Sequence, residues 1–176
     1  MNQLTRLIFI LVLLSFIACS SPQPTLFGTW EHISEKSTDI VTWRYREIEV
    51  SITKDENRIT ILHNWLQKQQ VAYMDSMSFV PGKEASPIPV TSAIWSENWY
   101  MGVLSKPGSQ RMVSGDWVEH KRALTTRVVQ TVEVSQGDAV IETLRDYRLD
   151  ATGDTLTIVE KRSTRQTPIT LVFEKI

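Results

Sequence analysis

The chain has 176 residues, 19 Lys and Arg against 20 Asp and Glu, 41% hydrophobic residues and one cysteine. That length supports one well-buried domain rather than two. A near-neutral charge balance with no basic stripe excludes a nucleic-acid binder, and a lone cysteine excludes a fold stapled by internal disulfides.

Residues 1–18 have the three-part layout of a secretory signal peptide. Arg6 is the one charge, and Leu7 to Ile17 form a run of eleven residues, ten of them apolar. Crossing a hydrocarbon core of ~30 Å takes about 20 apolar residues, so the run predicts a removed signal rather than a transmembrane helix. It ends in Phe16-Ile17-Ala18-Cys19, which resembles the lipobox of bacterial lipoproteins. The resemblance implies cleavage before Cys19, a diacylglycerol on its thiol, an acylated new amino terminus and anchorage to a membrane through that lipid. Phe16 stands where the lipobox usually has leucine. Ser20 and Ser21 follow the cysteine without an aspartate, which resembles the outer-membrane sorting pattern of Gram-negative lipoproteins and implies a domain facing the periplasm. Ala18-Cys19-Ser20 also satisfies the small-x-small rule for ordinary signal cleavage after Ser20. Residues 19–25 read as a polar linker kept extended by Pro22 and Pro24.

From residue 26 onward the pattern is period-2 alternation between turn signals. "LFGTWEHIS" opens it. "VTWRYREIEVSI" places Val41, Trp43 and Tyr45 on one face and then Ile48, Val50 and Ile52, a phase change that predicts a bulge near Arg46 or Glu47. "TKDENR" is a hairpin turn. "ITILHNWL" returns with Ile59, Ile61, His63 and Trp65 on one face, and "VAYMDSMSFV" follows. "PGKEASPIPVTS" contains three prolines and predicts a loop without regular structure. "AIWSENWYMGVL" reads as a strand with Trp95 and Trp99 on one face. The remaining strands are "RMVSGDWVEH", "TTRVVQTVEVS", "AVIETLRDYRL", "TLTIVEKR" and "ITLVFEKI". "NWLQKQQ" and "EHKRALTT" are the two places where a short helix competes.

About ten strands in hairpin succession, with no βαβ spacing, predict an all-β fold: an antiparallel up-and-down β-barrel, with an open sandwich as the structural competitor. "LFGTWEHIS" resembles the first-strand signature of lipocalins and their bacterial lipocalin-like relatives, carried here by Gly28 and Trp30. "YRLDATGDTLTIVEKR" is similar to the closing hairpin of lipocalin-like lipoproteins. The resemblance implies a calycin barrel over residues 26–176, with Trp30 packed across its closed end against a basic side chain, either Arg162 or Lys175.

Catalytic and metal motifs are missing. His32, His63 and His120 have no metal-ligand spacing and no second cysteine to help them. "MVSGD" lacks the first glycine of a nucleophile elbow, and Gly82-Lys83 is followed by glutamate rather than serine or threonine. No cofactor or metal is expected. The six tryptophans are the informative feature, since their amphipathic rings line pockets as readily as they fill cores. Trp43, Tyr45, His63, Trp65, Trp95, Trp99 and Trp117 are therefore the candidate ligand-binding residues, with Arg44 as a second polar group beside His63. His63 reads either as a hydrogen-bonded core histidine or as an anchor for a bound molecule. The predicted function is a membrane-anchored binding protein for a small hydrophobic or amphipathic ligand. The competing class is an envelope interaction module with a filled barrel and an unknown protein partner.

Overall fold

The structure is a computed structural model and describes residues 23–40, 47–95 and 102–176. Eleven strands follow one another: β1 (Gly28–His32), β2 (Glu47–Asp55), β3 (Arg58–Gln67), β4 (Gln70–Phe79), β5 (Ser86–Pro89), β6 (Leu104–Ser105), β7 (Gln110–Glu119), β8 (Ala123–Val134), β9 (Gly137–Leu149), β10 (Thr155–Arg162) and β11 (Ile169–Lys175). A single 3-10 turn, Ser34–Lys36, is the only helical element among the described residues. All pairings are antiparallel, in the order β4-β3-β2-β1-β11-β10-β9-β8-β7-β5, with β6 added beside β8. The sheet wraps until β4 and β7 come face to face, which makes a nearly closed calycin-type barrel. Neither competing helix forms. Lys68 and Gln69 both have positive φ and turn β3 into β4 as a tight hairpin, and Lys121 at φ +64° does the same between β7 and β8.

Alternation decides which side chains fill the barrel. Ile48, Val50 and Ile52 on β2, Ile59 and Ile61 on β3, Leu156 and Ile158 on β10, and Leu171 and Phe173 on β11 all point inward and are buried. They join Leu26, Trp30, Phe79 and Tyr147 in one core cluster, which extends along the barrel from Trp65 and Ile169 and fills the end where the chain enters β1. We call this the closed end and the opposite end the mouth. Trp30 is fully buried, donates its indole N–H to the Leu26 carbonyl at 3.0 Å and lies under Lys175, whose Nζ is 5.3 Å from the ring centroid. The partner left open between two basic residues is thus Lys175, which also faces Trp30 in the β1–β11 register. Arg162 sits toward the mouth, against Trp95. Gly28 stands at φ +139°, a conformation that strains any L side chain, and the Lys175 side chain crosses it 3.0 Å from where a Cβ would lie.

Between β4 and β7 no backbone ladder runs among the described residues, and side chains close the seam instead. Near the closed end the Phe79 ring crosses from β4 to lie on Gly115 of β7, where any Cβ would meet the ring at 2.4 Å and the Thr125 carbonyl at 2.8 Å. Gly82 N–H also donates to the Gly115 carbonyl at 3.0 Å. Nearer the mouth, Arg111 of β7 pairs with Asp75 of β4 at 2.7 Å and donates to the Ser76 carbonyl.

Two expectations change in this region. The proline-bearing segment is not without regular structure: Ser86–Pro89 pair with β7 as β5. The even-numbered residues face β7, as the continuing bond from Val90 N–H to the Ser109 carbonyl shows, so Pro87 and Pro89 turn their missing N–H groups to the open edge. The strand expected from Ala93 is also absent over 91–95. Chain pairing resumes only at β6, and residues 96–101 lie outside the described residues. The bulge expected near Arg46 or Glu47 falls where the described part of β2 begins, at Glu47.

Candidate functional site

Halfway along the barrel a layer of polar and charged side chains interrupts the inward apolar faces, which resume toward the mouth with Trp65, Val132, Ile141 and Ile169. His63 on β3, Asp75 on β4, Arg111 on β7, Gln130 on β8, Thr143 and Arg145 on β9, and Glu160 and Arg162 on β10 share phase with buried apolar neighbours and so point inward. Strand register brings them together: His63 stands opposite Asp75, Arg145 opposite Glu160, and Thr143 opposite Arg162. Arg145 Nε donates to Glu160 Oε2 at 2.9 Å, and Arg162 Nη2 lies 3.7 Å from the other carboxylate oxygen. Glu160 is 2% exposed. A charge so deeply buried is tolerable only when paired. Three arginines therefore meet two carboxylates, a surplus of one positive charge while His63 is neutral.

Partial burial pushes the Asp75 carboxyl up. The charge and hydrogen bond of Arg111, with smaller pulls from His63 and Arg145, more than offset this and hold it below its ordinary value. Asp75 is thus ionised at neutral pH, and its pair with Arg111 is a charged clasp. Deeper in the barrel, burial pushes the Tyr147 phenol up to about 12, so that it stays protonated and neutral.

The charged layer borders a small cavity of about 40 Å³ with Asp75, Arg111, Gln130, Thr143, Arg145 and Trp95 in its wall. Two donors in that wall, the Trp95 indole N–H and Arg111 Nε, are buried and find no hydrogen-bond partner among the described residues. Buried donors are almost always satisfied in native proteins, so each such exception calls for an explanation. Tyr73, Asp75, Ser105, Arg111 and Gln130 also line a neighbouring groove of about 480 Å³ along the seam. Met74 and the Pro87-Ile88-Pro89 run of β5 give the groove an apolar wall.

The candidate residues are placed unequally. Trp95 reaches the cavity wall, with the Arg162 guanidinium 5.7 Å from its ring centroid. His63 faces Asp75, and Trp65 is buried in the main core farther along the same strand. Trp117 is at the closed end, edge-on to Phe27 at 6.0 Å and tilted against His120 at 5.3 Å. Trp43, Arg44, Tyr45, Trp99 and Cys19 lie outside the described residues. Asp75, Arg111, Gln130, Arg145 and Glu160 were not expected at a site. The available signal was parity: Tyr73, Asp75, Met77 and Phe79 share one face of a strand, as do Ile141, Thr143, Arg145 and Tyr147. Among the described residues no group of three or more His, Cys, Asp or Glu is arranged to hold a metal ion.

No protein-family model and no curated protein sequence matches the chain. Solved structures do. The REP1-NXSQ fatty acid transporter superposes with a TM-score of 0.50 at 10% identity, covering 86% of this chain and 96% of its own. A fatty acid binding protein of Schistosoma mansoni in complex with arachidonic acid gives 0.51 at 13% identity, over 85% and 95%. Secretory abundant heat soluble protein 4 of Ramazzottius varieornatus gives 0.50 at 16% identity, over 89% and 99%. At such identities the likeness defines the fold, and the fold is that of a calycin barrel.

Proposed function

We propose that this protein is a non-catalytic, lipid-anchored lipoprotein of the bacterial envelope that holds a small amphipathic molecule. The head of the ligand sits at the charged layer and its apolar tail lies in the seam groove. One observation carries this reading: two donors buried without partners among the described residues, Arg111 Nε and Trp95 Nε1, face a cavity that three arginines surround or adjoin. Donors and surplus positive charge call for a head rich in acceptor oxygens and negatively charged. The groove volume lies within the range of about 300–1,000 Å³ common to small-molecule sites. Fatty acids, the molecules named for two of the similar structures, have this chemistry. Cys19 supplies the anchor, and the sorting pattern after it supports the periplasmic face of the outer membrane.

The test uses the chain from Ser20 onward, made without lipid, and a bound anionic fluorophore displaced by either dodecanoate or dodecanol. Hydrogen bonds to a charged group contribute about 1.5–3 kcal/mol, so the acid should displace roughly 10- to 100-fold better than the alcohol. Equal potency of the two overturns the assignment of the head site. The filled closed half favours a second reading, a solid interaction module. Displacement by neither compound, with a bare mass in native mass spectrometry, would select that reading.

A further inference from the structure

We propose that the closed end of the barrel is the surface that rests on the anchoring membrane, so that the mouth and its charged layer face away from that membrane. The proposal builds on the reading of Cys19 as lipidated and adds an orientation to it. Its partner is the headgroup region of the bilayer that holds the lipid of Cys19.

The chain is pinned to the closed end almost as soon as it leaves the anchor. Leu26 is fully buried, with its N–H bonded to the Lys121 carbonyl at 2.7 Å and its carbonyl bonded to the Trp30 indole. Two residues earlier, Pro24 packs so tightly on Gly153 of the β9–β10 turn that a Cβ there would lie 2.2 Å from the proline ring. Five residue steps lead from Cys19 to Pro24. Fully extended, they span at most about 18 Å at ~3.3–3.6 Å per residue. The thirteen residues of β9 run from mouth to closed end. At ~3.3 Å per residue and a tilt of about 35–45°, they set the barrel height at about 30 Å. The tether is too short to carry the mouth down to the lipid.

The side chains around this exit suit an interface. Phe27 and Trp117 form a half-buried aromatic pair on the rim, Val118 is 54% exposed and Ile176 65% exposed, and the basic run His120-Lys121-Arg122 lies beside the Leu26 hydrogen bond. Aromatic rings of this kind settle at the level of lipid headgroups, with basic side chains among the phosphates. Arg122 is already paired with Glu119 at 3.2 Å and donates to the Asp150 carbonyl, so the tether and the apolar side chains, rather than net charge, hold the face down. Ligand exchange at the mouth is therefore with the aqueous space or with a partner across it.

The experiment uses the full lipidated chain in vesicles of phosphatidylethanolamine and phosphatidylglycerol that contain a headgroup-nitroxide lipid. With the Cys19 thiol consumed by its lipid, Asn57→Cys in the β2–β3 turn at the closed end, or Ser135→Cys in the β8–β9 turn at the mouth, offers one thiol for an environment-sensitive fluorophore. Quenching several-fold stronger at residue 57 than at residue 135 is the expected result. Equal quenching at the two positions, stronger quenching at residue 135, or none at either overturns the orientation while leaving the anchor intact. The intact mass, taken first, separates the two readings: a chain without acyl groups overturns the anchor and the orientation together.

Discussion

The two halves of the barrel interior are built on the same strands from different chemistry. Toward the closed end β10 presents Leu156 and Ile158, and toward the mouth the same face presents Glu160 and Arg162. β4 runs from Phe79 and Met77 to Asp75, and β3 from Ile59 and Ile61 to His63. Apolar burial stabilises by ~25 cal/mol per Å², whereas a buried ion pair at best offsets its own desolvation. Folding stability is therefore concentrated in the closed half. The ion pairs of the mouth half add little net stability, yet removing a single partner of the buried Arg145–Glu160 pair there would strand a buried charge at a cost of about 3–5 kcal/mol. That half also holds the cavity and a smaller apolar cluster of Trp95, Val132 and Ile141.

The largest test of this division is at the closed end. Trp30→Ala removes a fully buried indole, its hydrogen bond to Leu26 and the ring beneath Lys175. The expected loss is about 3–5 kcal/mol, read as a shift in urea midpoint. A loss below about 1 kcal/mol would mean that the closed half is not the stable core. Next comes the seam. Gly115→Ala drives a methyl into the Phe79 ring and toward the Thr125 carbonyl, which as backbone cannot move aside. Overpacking of this kind costs about 1–3 kcal/mol, and amide exchange along β4 should accelerate with it. An unchanged β4 would show that the seam is not held by Phe79.

The smallest effect belongs to the mouth half and depends on pH. The folded-state pKa of Asp75 is lowered from 3.8, so its ionised form stabilises the fold. That contribution is fully present above an unfolded value of about 4 and is lost as the pH falls through the lower folded value. Thermal unfolding of the wild type and Asp75→Asn between pH 2 and 6 should show a constant gap above about pH 4 that narrows below it. A gap that widens on acidification would contradict the charged clasp.

Much of the architecture was legible because its signals are local. Ile59, Ile61 and His63 alternate within one strand, and Gly28 and Trp30 lie two residues apart in one short motif, although the Lys175 side chain they accommodate comes from the last strand. The strand at Ser86–Pro89 was hidden because proline breaks a ladder in the middle of a sheet but not at an edge, and which strand is an edge depends on the whole topology. The charged layer was hidden for a related reason. Arg145 and Glu160 look like solvent-facing residues until Tyr147 and Ile158, two positions along their strands, fix the phase. Their pairing across strands from distant parts of the chain is visible only in three dimensions. Aromatic content drew attention to tryptophans, yet among the described ones only Trp95 lines the cavity.

The edge prolines have one more consequence. A barrel that does not close its ladder leaves strand edges exposed, and an exposed edge invites a neighbouring molecule to add a strand of its own. On the β5 side, Pro87 and Pro89 withhold the two donors that such an addition would need. On the β4 side, Arg111 already occupies the Ser76 carbonyl. With both edges blunted in this way, the barrel leaves its seam unladdered without offering a template for edge-to-edge aggregation.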